Sequence, residues 1–131
     1  NVIIKIISLN PYKKKNTDGY ENIIQNIDCQ YLHIVESING DSVNGYGIYS
    51  VDENGVTIYD FDSSDMNVTD GIIRTILFKA MLSGINECIF EIKDENKIHN
   101  LTKLGFVMEH EQCINDISNF MINCKKCKEL Q

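Results

Sequence analysis

The sequence has no tryptophan, a single proline (Pro11), and no apolar run near the roughly 18 residues that a membrane-spanning helix needs. No repeat, low-complexity tract or Pro/Gly-rich linker divides it. Its 131 residues therefore read as a single domain, 1–131, with a short Cys/Lys-rich tail at 123–131. Arginine is almost missing: Arg74 stands beside eleven lysines. Positive charge is scarce overall, since 12 Lys and Arg against 19 Asp and Glu leave a net charge of −7. That balance argues against a sequence-independent grip on nucleic acid phosphates or anionic lipid. The opening residues 1–9 are too short and wrongly flanked for a signal peptide, so the expectation is a cytoplasmic protein. Five cysteines (29, 88, 113, 124, 127) are an odd number without a secretory signal, and they read as free thiols in a reducing compartment.

What is present is an ordinary globular mix, 43% apolar and 24% charged, with enough chain to bury a core without staples. Isoleucine (21) and asparagine (15) are abundant, a bias of A/T-rich codons that weakens any argument from one Lys or Asn. The β-branched run 2–9 reads as a strand. Thr17-Asp18 offers a helix N-cap, followed by Tyr20, Ile23, Ile24 and Ile27 at helical spacing. Strands are expected at 31–38, 43–51 and 56–62, separated by turns at 39–41 and 53–55. Thr69 or Asp70 can cap a helix with an apolar stripe at 72, 73, 76, 77, 80 and 81, closed by Gly84. A strand at 87–93 carries Cys88, Phe90 and Ile92 on one face. A helix at 94–104 then turns Ile98, Leu101 and Leu104 inward, Gly105 stops it, and a last strand is expected at 113–122. That last strand pairs either within the chain or with a partner, and a homodimer is among the expected assemblies. The strands at 56–62 and 87–93 should lie parallel across a crossover helix. The fold class is α+β: a mixed sheet, antiparallel meander in front and parallel strands in the middle, with helices on both faces.

Two stretches could carry chemistry on their own. The junction 62–71 runs from a strand end into a helix start, where unpaired amides and the helix dipole attract phosphate or carboxylate. An ordinary capped helix is an equally good reading of it. Cys124-Lys-Lys-Cys127 is half of a zinc site and sits in the wrong context for a redox pair, so an exposed tail is its better reading.

Residues 70–80, then Gly84-Ile85, then 88–92, then Asn100-Leu-Thr-Lys-Leu-Gly-Phe106, resemble the GNAT superfamily of N-acetyltransferases. The likeness spans 43–107, about half the chain, and Lys103-Leu-Gly-Phe106 matches a widespread family ending to the second helix. It implies that acetyl-CoA, as acyl donor, lies between the strands at 56–62 and 87–93. Backbone groups of Phe61 and Asp62 would hold the pantetheine arm. Asp70, Gly71, Ile72, Ile73, Arg74 and Thr75 would cradle the pyrophosphate, with Asn100 as a further donor-binding residue. Where the family's loop reads Arg/Gln-x-x-Gly-x-Gly/Ala, this chain has Val68 and Ile73 around Gly71. Where many members carry an acid tyrosine it has Leu101, and residues 10–29 are short for an acceptor wall.

Acyl transfer to an amine needs a carboxylate to take a proton. Asp60 and Asp62 share a strand face by period-two counting, and Glu91 and Glu36 are neighbours on adjoining strands. Solvated strand-end carboxylates are the alternative for each. A replacement acid is Tyr46, Tyr49, Tyr59 or His99. The expected activity is acetyl transfer to a small amine or a protein lysine. The alternative is a catalytically silent GNAT-like module that binds CoA or a protein partner, and a metal-binding tail is a third reading.

Overall fold

Strict alternation along residues 32–37 sends successive side chains to opposite sides, and both sides are buried. Leu32 and Ile34 pack with Ile48 against Ile23, Ile24 and Ile27, while Val35 joins Tyr49, Ile58 and Phe61 on the other face. A sheet covered on both faces follows from that pattern. The computed structural model describes residues 2–9, 19–29 and 31–123. In chain order these form β1 (Val2–Leu9), α1 (Glu21–Ile24), β2 (Leu32–Asn39), β3 (Ser42–Asp52), β4 (Gly55–Ser63), α2 (Met66–Leu82), β5 (Cys88–Phe90), α3 (Glu95–Lys103), β6 (Cys113–Ile114) and α4 (Ile117–Asn123). The strands form one sheet in sequence order, antiparallel throughout except for the parallel β4–β5 pair. The α+β class and the mixed sheet with helices on both faces are as expected.

The stripe Ile72, Ile73, Ile76, Leu77 and Ala80 buries α2 against β3 and β4. Two glycines let it come close. A Cβ on Gly45 would lie 2.8 Å from Ile72, Val68 and the Ser63 Cβ, and one on Gly47 would lie 2.8 Å from Ile72. Glycine inside a strand normally weakens it, and here it removes the side chain that would hold helix and sheet apart. Gly84 and Gly105, both at left-handed φ, end α2 and α3 as expected.

Several elements differ from the expectations. α2 starts at Met66, capped by Asp65 rather than Thr69 or Asp70, because the Asp65 carboxylate accepts the Val68 amide at 3.0 Å. β5 pairs for three residues only, although burial continues to Ile92. The expected strand at 113–122 is two residues of β6 followed by α4. Asp116 starts that helix by accepting the Asn119 amide at 3.0 Å. β6 pairs with β5 of the same chain. α1 is a single turn whose N-cap position is Tyr20. Thr17, Asp18, Cys124 and Cys127 lie outside the described residues.

On the α2 side, His33 stacks on Tyr49 at 5.1 Å. Burial, with Lys79 adding, holds its pKa below the ordinary value of 6.5. Between that value and the lower folded one the unfolded chain binds more protons, so stability falls as pH falls through this window. The urea midpoint should therefore decline from pH 7 to pH 5, and His33→Phe should flatten that slope. An unchanged slope would show that His33 titrates alike in both states.

Candidate functional site

β4 and β5 pair over Val56–Cys88, Thr57–Ile89 and Ile58–Phe90, and the last bond runs from the Glu91 amide to the Ile58 carbonyl at 2.9 Å. The ladder ends because of β4. Ile48 pairs with Asp60 but Tyr49 with Ile58, so Tyr59 is an extra residue, a β-bulge. Before the bulge, Val56 and Ile58 turn their backbone groups to the β5 side, as the 2.9 Å bond from the Val56 amide to the Glu87 carbonyl shows. After it the parity reverses. Asp60, Asp62 and Ser64 turn toward β3, Ser64 donating to the Asn44 carbonyl at 2.9 Å. Phe61 therefore presents its N–H and C=O to the side that β5 has left. The departing chain is held from its far side. The Gln112 side-chain amide donates to the carbonyls of Phe90 at 2.8 Å and Ile92 at 3.0 Å. The result is a wedge between two parallel strands.

A cleft of about 670 Å³ lies at the wedge, lined by Tyr59 and Asp60 of β4, Glu91 to Asp94 beyond β5, and Asn22, Ile23 and Asn26 to Asp28 around α1. Both carboxylate oxygens of Asp60 are engaged. Tyr46 Oη donates to one at 2.6 Å, and Lys97 Nζ, reaching over from α3, donates to the other at 2.7 Å. Tyr46 packs edge-on to Tyr20 at 5.0 Å, and Tyr20 Oη donates to Glu36 at 2.7 Å. Burial first, and then the accepting carboxylate, pushes both phenols well above the ordinary tyrosine range. Tyr59 Oη lies 2.9 Å from Ser50 Oγ. Burial raises its pKa as well, with Cys29 and Glu91 adding and the Ser50 contact opposing. Tyr59 thus stays a proton donor at neutral pH. Glu91 is exposed at the cleft mouth.

The sequence-derived candidates separate into two groups. Asp60 and Glu91 line the same cleft, and the Phe61 backbone opens into the wedge. Asp62 shares the Asp60 face of β4 and accepts the Ser63 amide at 2.9 Å. The other group is inside α2. Amides of Asp70 to Thr75 fall in its second and third turns, where each N–H is taken by the carbonyl four residues earlier. Ile72 and Ile73 are fully buried in the core. Arg74 Nε donates to Asp70 at 2.9 Å, and its guanidinium sits over the Phe106 and Phe120 rings at 5.3 and 5.7 Å. Thr75 Oγ1 donates to the Gly71 carbonyl at 2.7 Å. Asn100 is half-buried on α3, where its carbonyl accepts the Leu104 amide. The amides at 70–75 are therefore spent inside α2, whereas the Phe61 backbone faces the side that β5 has left.

Gly71 tests that division. A Cβ there meets only Ile4 at 3.8 Å, an ordinary contact. Gly71→Ala should stabilise the chain by about 0.5–1 kcal/mol through helix propensity and leave ligand affinity unchanged. A loss of thioester binding in this variant would instead put the phosphates at Gly71.

Sequence reasoning missed the tie from Lys97 to Asp60, the Tyr59 bulge and the Gln112 brace. Of the three candidate tyrosines it left open, Tyr59 is the one that lines the cleft. Tyr46 is committed to Asp60, Tyr49 is buried on the α2 face, and His99 is exposed on α3. Leu101 is fully buried. Among the described residues, Cys29, Cys88 and Cys113 are free thiols, and no group of three His, Cys, Asp or Glu is placed to hold a metal ion. No helix among them is long and apolar enough to cross a membrane. No family model, curated protein or solved structure matches the chain.

Proposed function

We propose that the chain is a GNAT-like N-acyltransferase that moves an acyl group, acetyl in the first instance, from a thioester to a primary amine. The observation that carries this reading is the wedge, where a bulge at Tyr59 turns the Phe61 amide to the side that β5 leaves, next to a cleft of ligand size lined by Tyr59, Asp60 and Glu91. A backbone N–H fixed at that point is a pre-organised donor for the thioester carbonyl, and for the oxyanion that develops on it. The mouth, with Asp28, Asp60, Glu91 and Asp94 against Lys93 and Lys97, keeps an acidic excess that favours a cationic amine and holds it near the carbonyl.

The chemistry balances with groups at the cleft. The amine arrives protonated and loses a proton to water. Its nitrogen forms the C–N bond, Glu91 takes the second proton, and the C–S bond breaks. Tyr59 protonates the leaving thiolate, and Glu91 returns a proton to Tyr59 through solvent. Asp60, with both oxygens engaged, orders the site and does not serve as the base. The burial of Leu101 favours a second reading, a silent module that binds the thioester without turning it over, because the family's usual acid position is spent on the core.

Thiol release separates the two. With acetyl-CoA as acyl donor and a panel of primary amines, the enzyme reading expects free thiol and acetylated amine in equal amounts. Saturable binding without turnover would leave only the silent module.

A further inference from the structure

We infer that the wedge recognises its donor through the acyl-bearing, amide-containing arm alone, and that a nucleotide diphosphate adds nothing to recognition. The inference rests on the acyl-transfer reading. It starts from the first turn of α2, the helix start that directly follows β4 and the place beside the wedge where an anion would find helix N–H groups. That turn is already supplied with an anion of the chain's own, because the Asp65 carboxylate accepts the Val68 amide at 3.0 Å. Ser63 Oγ and Thr69 Oγ1 bond each other, closing the polar groups beside it. A phosphate arriving here meets the Asp65 carboxylate and finds the Val68 and Thr69 amides already taken, and like charges repel at this range.

The cation nearest in sequence is committed elsewhere. Arg74 pairs with Asp70 at 2.9 Å and lies over two aromatic rings, contacts that tie α2 to the chain around α3 and α4. The polar row on the α1 face of the sheet is acidic as well, with Glu36, Asp60 and Asp62 against Lys97. By contrast, the wedge suits a neutral extended arm. Phe61 N–H and C=O face it from β4, and backbone alternation aims the Glu91 carbonyl at it from the opposite side. An arm carrying amides, such as an acylated pantetheine, can bond both sides as an added strand would.

The test compares kcat/KM for acetyl-CoA and for S-acetylpantetheine on the whole chain with the same amine panel, by thiol release. Adenosine 3′,5′-bisphosphate serves as a competitor. The expected result is that the two donors agree to within about tenfold and that the bisphosphate does not inhibit. Two charge-assisted bonds to a diphosphate would favour acetyl-CoA by about a hundredfold or more. A preference beyond tenfold, or competitive inhibition by the bisphosphate, overturns the inference and leaves acyl transfer standing. If neither donor yields thiol, the acyl-transfer reading falls and takes the inference with it.

Discussion

Glu91→Gln and Tyr59→Phe each lower amine-dependent thiol release by about a hundredfold, because each removes one proton transfer from the transition state. The loss appears in kcat with KM little changed, since neither side chain is asked to bind the thioester. The two variants differ in their pH profiles. Burial raises the Tyr59 phenol, so the wild-type rate persists to a pH above the ordinary tyrosine range before it falls. Tyr59→Phe removes that upper limb, which Glu91→Gln leaves in place. Tyr59→Phe gives up the 2.9 Å contact with Ser50 and the hydroxyl's contact with Cys29, while the ring stays in place, so the fold should persist. Rates within twofold of wild type in both variants would mean that other groups move the protons.

Gly45→Ala lowers the midpoint of thermal unfolding by about 4–12 °C, corresponding to a destabilisation of about 1–3 kcal/mol from overpacking. The added methyl would lie 2.8 Å from three atoms at once. Two are ends of the Ile72 and Val68 side chains, but the third is the Ser63 Cβ on the neighbouring strand, which cannot step aside without moving β4. The strain therefore reaches the strand that carries the bulge, and activity should fall together with stability. An unchanged midpoint would show that α2 is free to withdraw from β3.

Much of this architecture could be read from the residues, and the errors have physical causes. The strands at 32–39, 42–52 and 55–63 were legible because β-branched and aromatic residues alternate between turn residues. α3 was legible because Asp94 and Gly105 bracket its apolar stripe. The start of α2 was not, because Asp62, Ser63, Ser64, Asp65, Thr69 and Asp70 are all residues that cap helices well. In the fold it is the Asp65 carboxylate, accepting the Val68 amide, that caps the helix. The stretch 113–122 contained the signal for α4, with Asp116 ahead of Ile117, Phe120 and Met121 at helical spacing, but its β-branched residues invited a strand.

The site was half legible. Asp60 and Glu91 were found from their places on neighbouring strands. The bulge was hidden, because it depends on which residue of β3 faces which residue of β4, and neither Gly nor Pro marks it. The link from Lys97 to Asp60 spans 37 positions and joins a helix to a strand, a distance over which no local pattern speaks. The phosphate assignment to 70–75 depended on a helix beginning at Asp70, and the earlier start at Met66 moves those amides into the body of the helix.

The proposed acyl transfer depends on the orientation of the Phe61 amide. Amide-resolved NMR on labelled protein, titrated with S-acetylpantetheine and separately with acetyl-CoA, examines it directly. The account predicts that the Phe61 amide proton moves downfield and saturates, together with the amides of Tyr59 and Glu91. A Phe61 resonance that stays still while others shift, or a spectrum unmoved by either thioester, would contradict it.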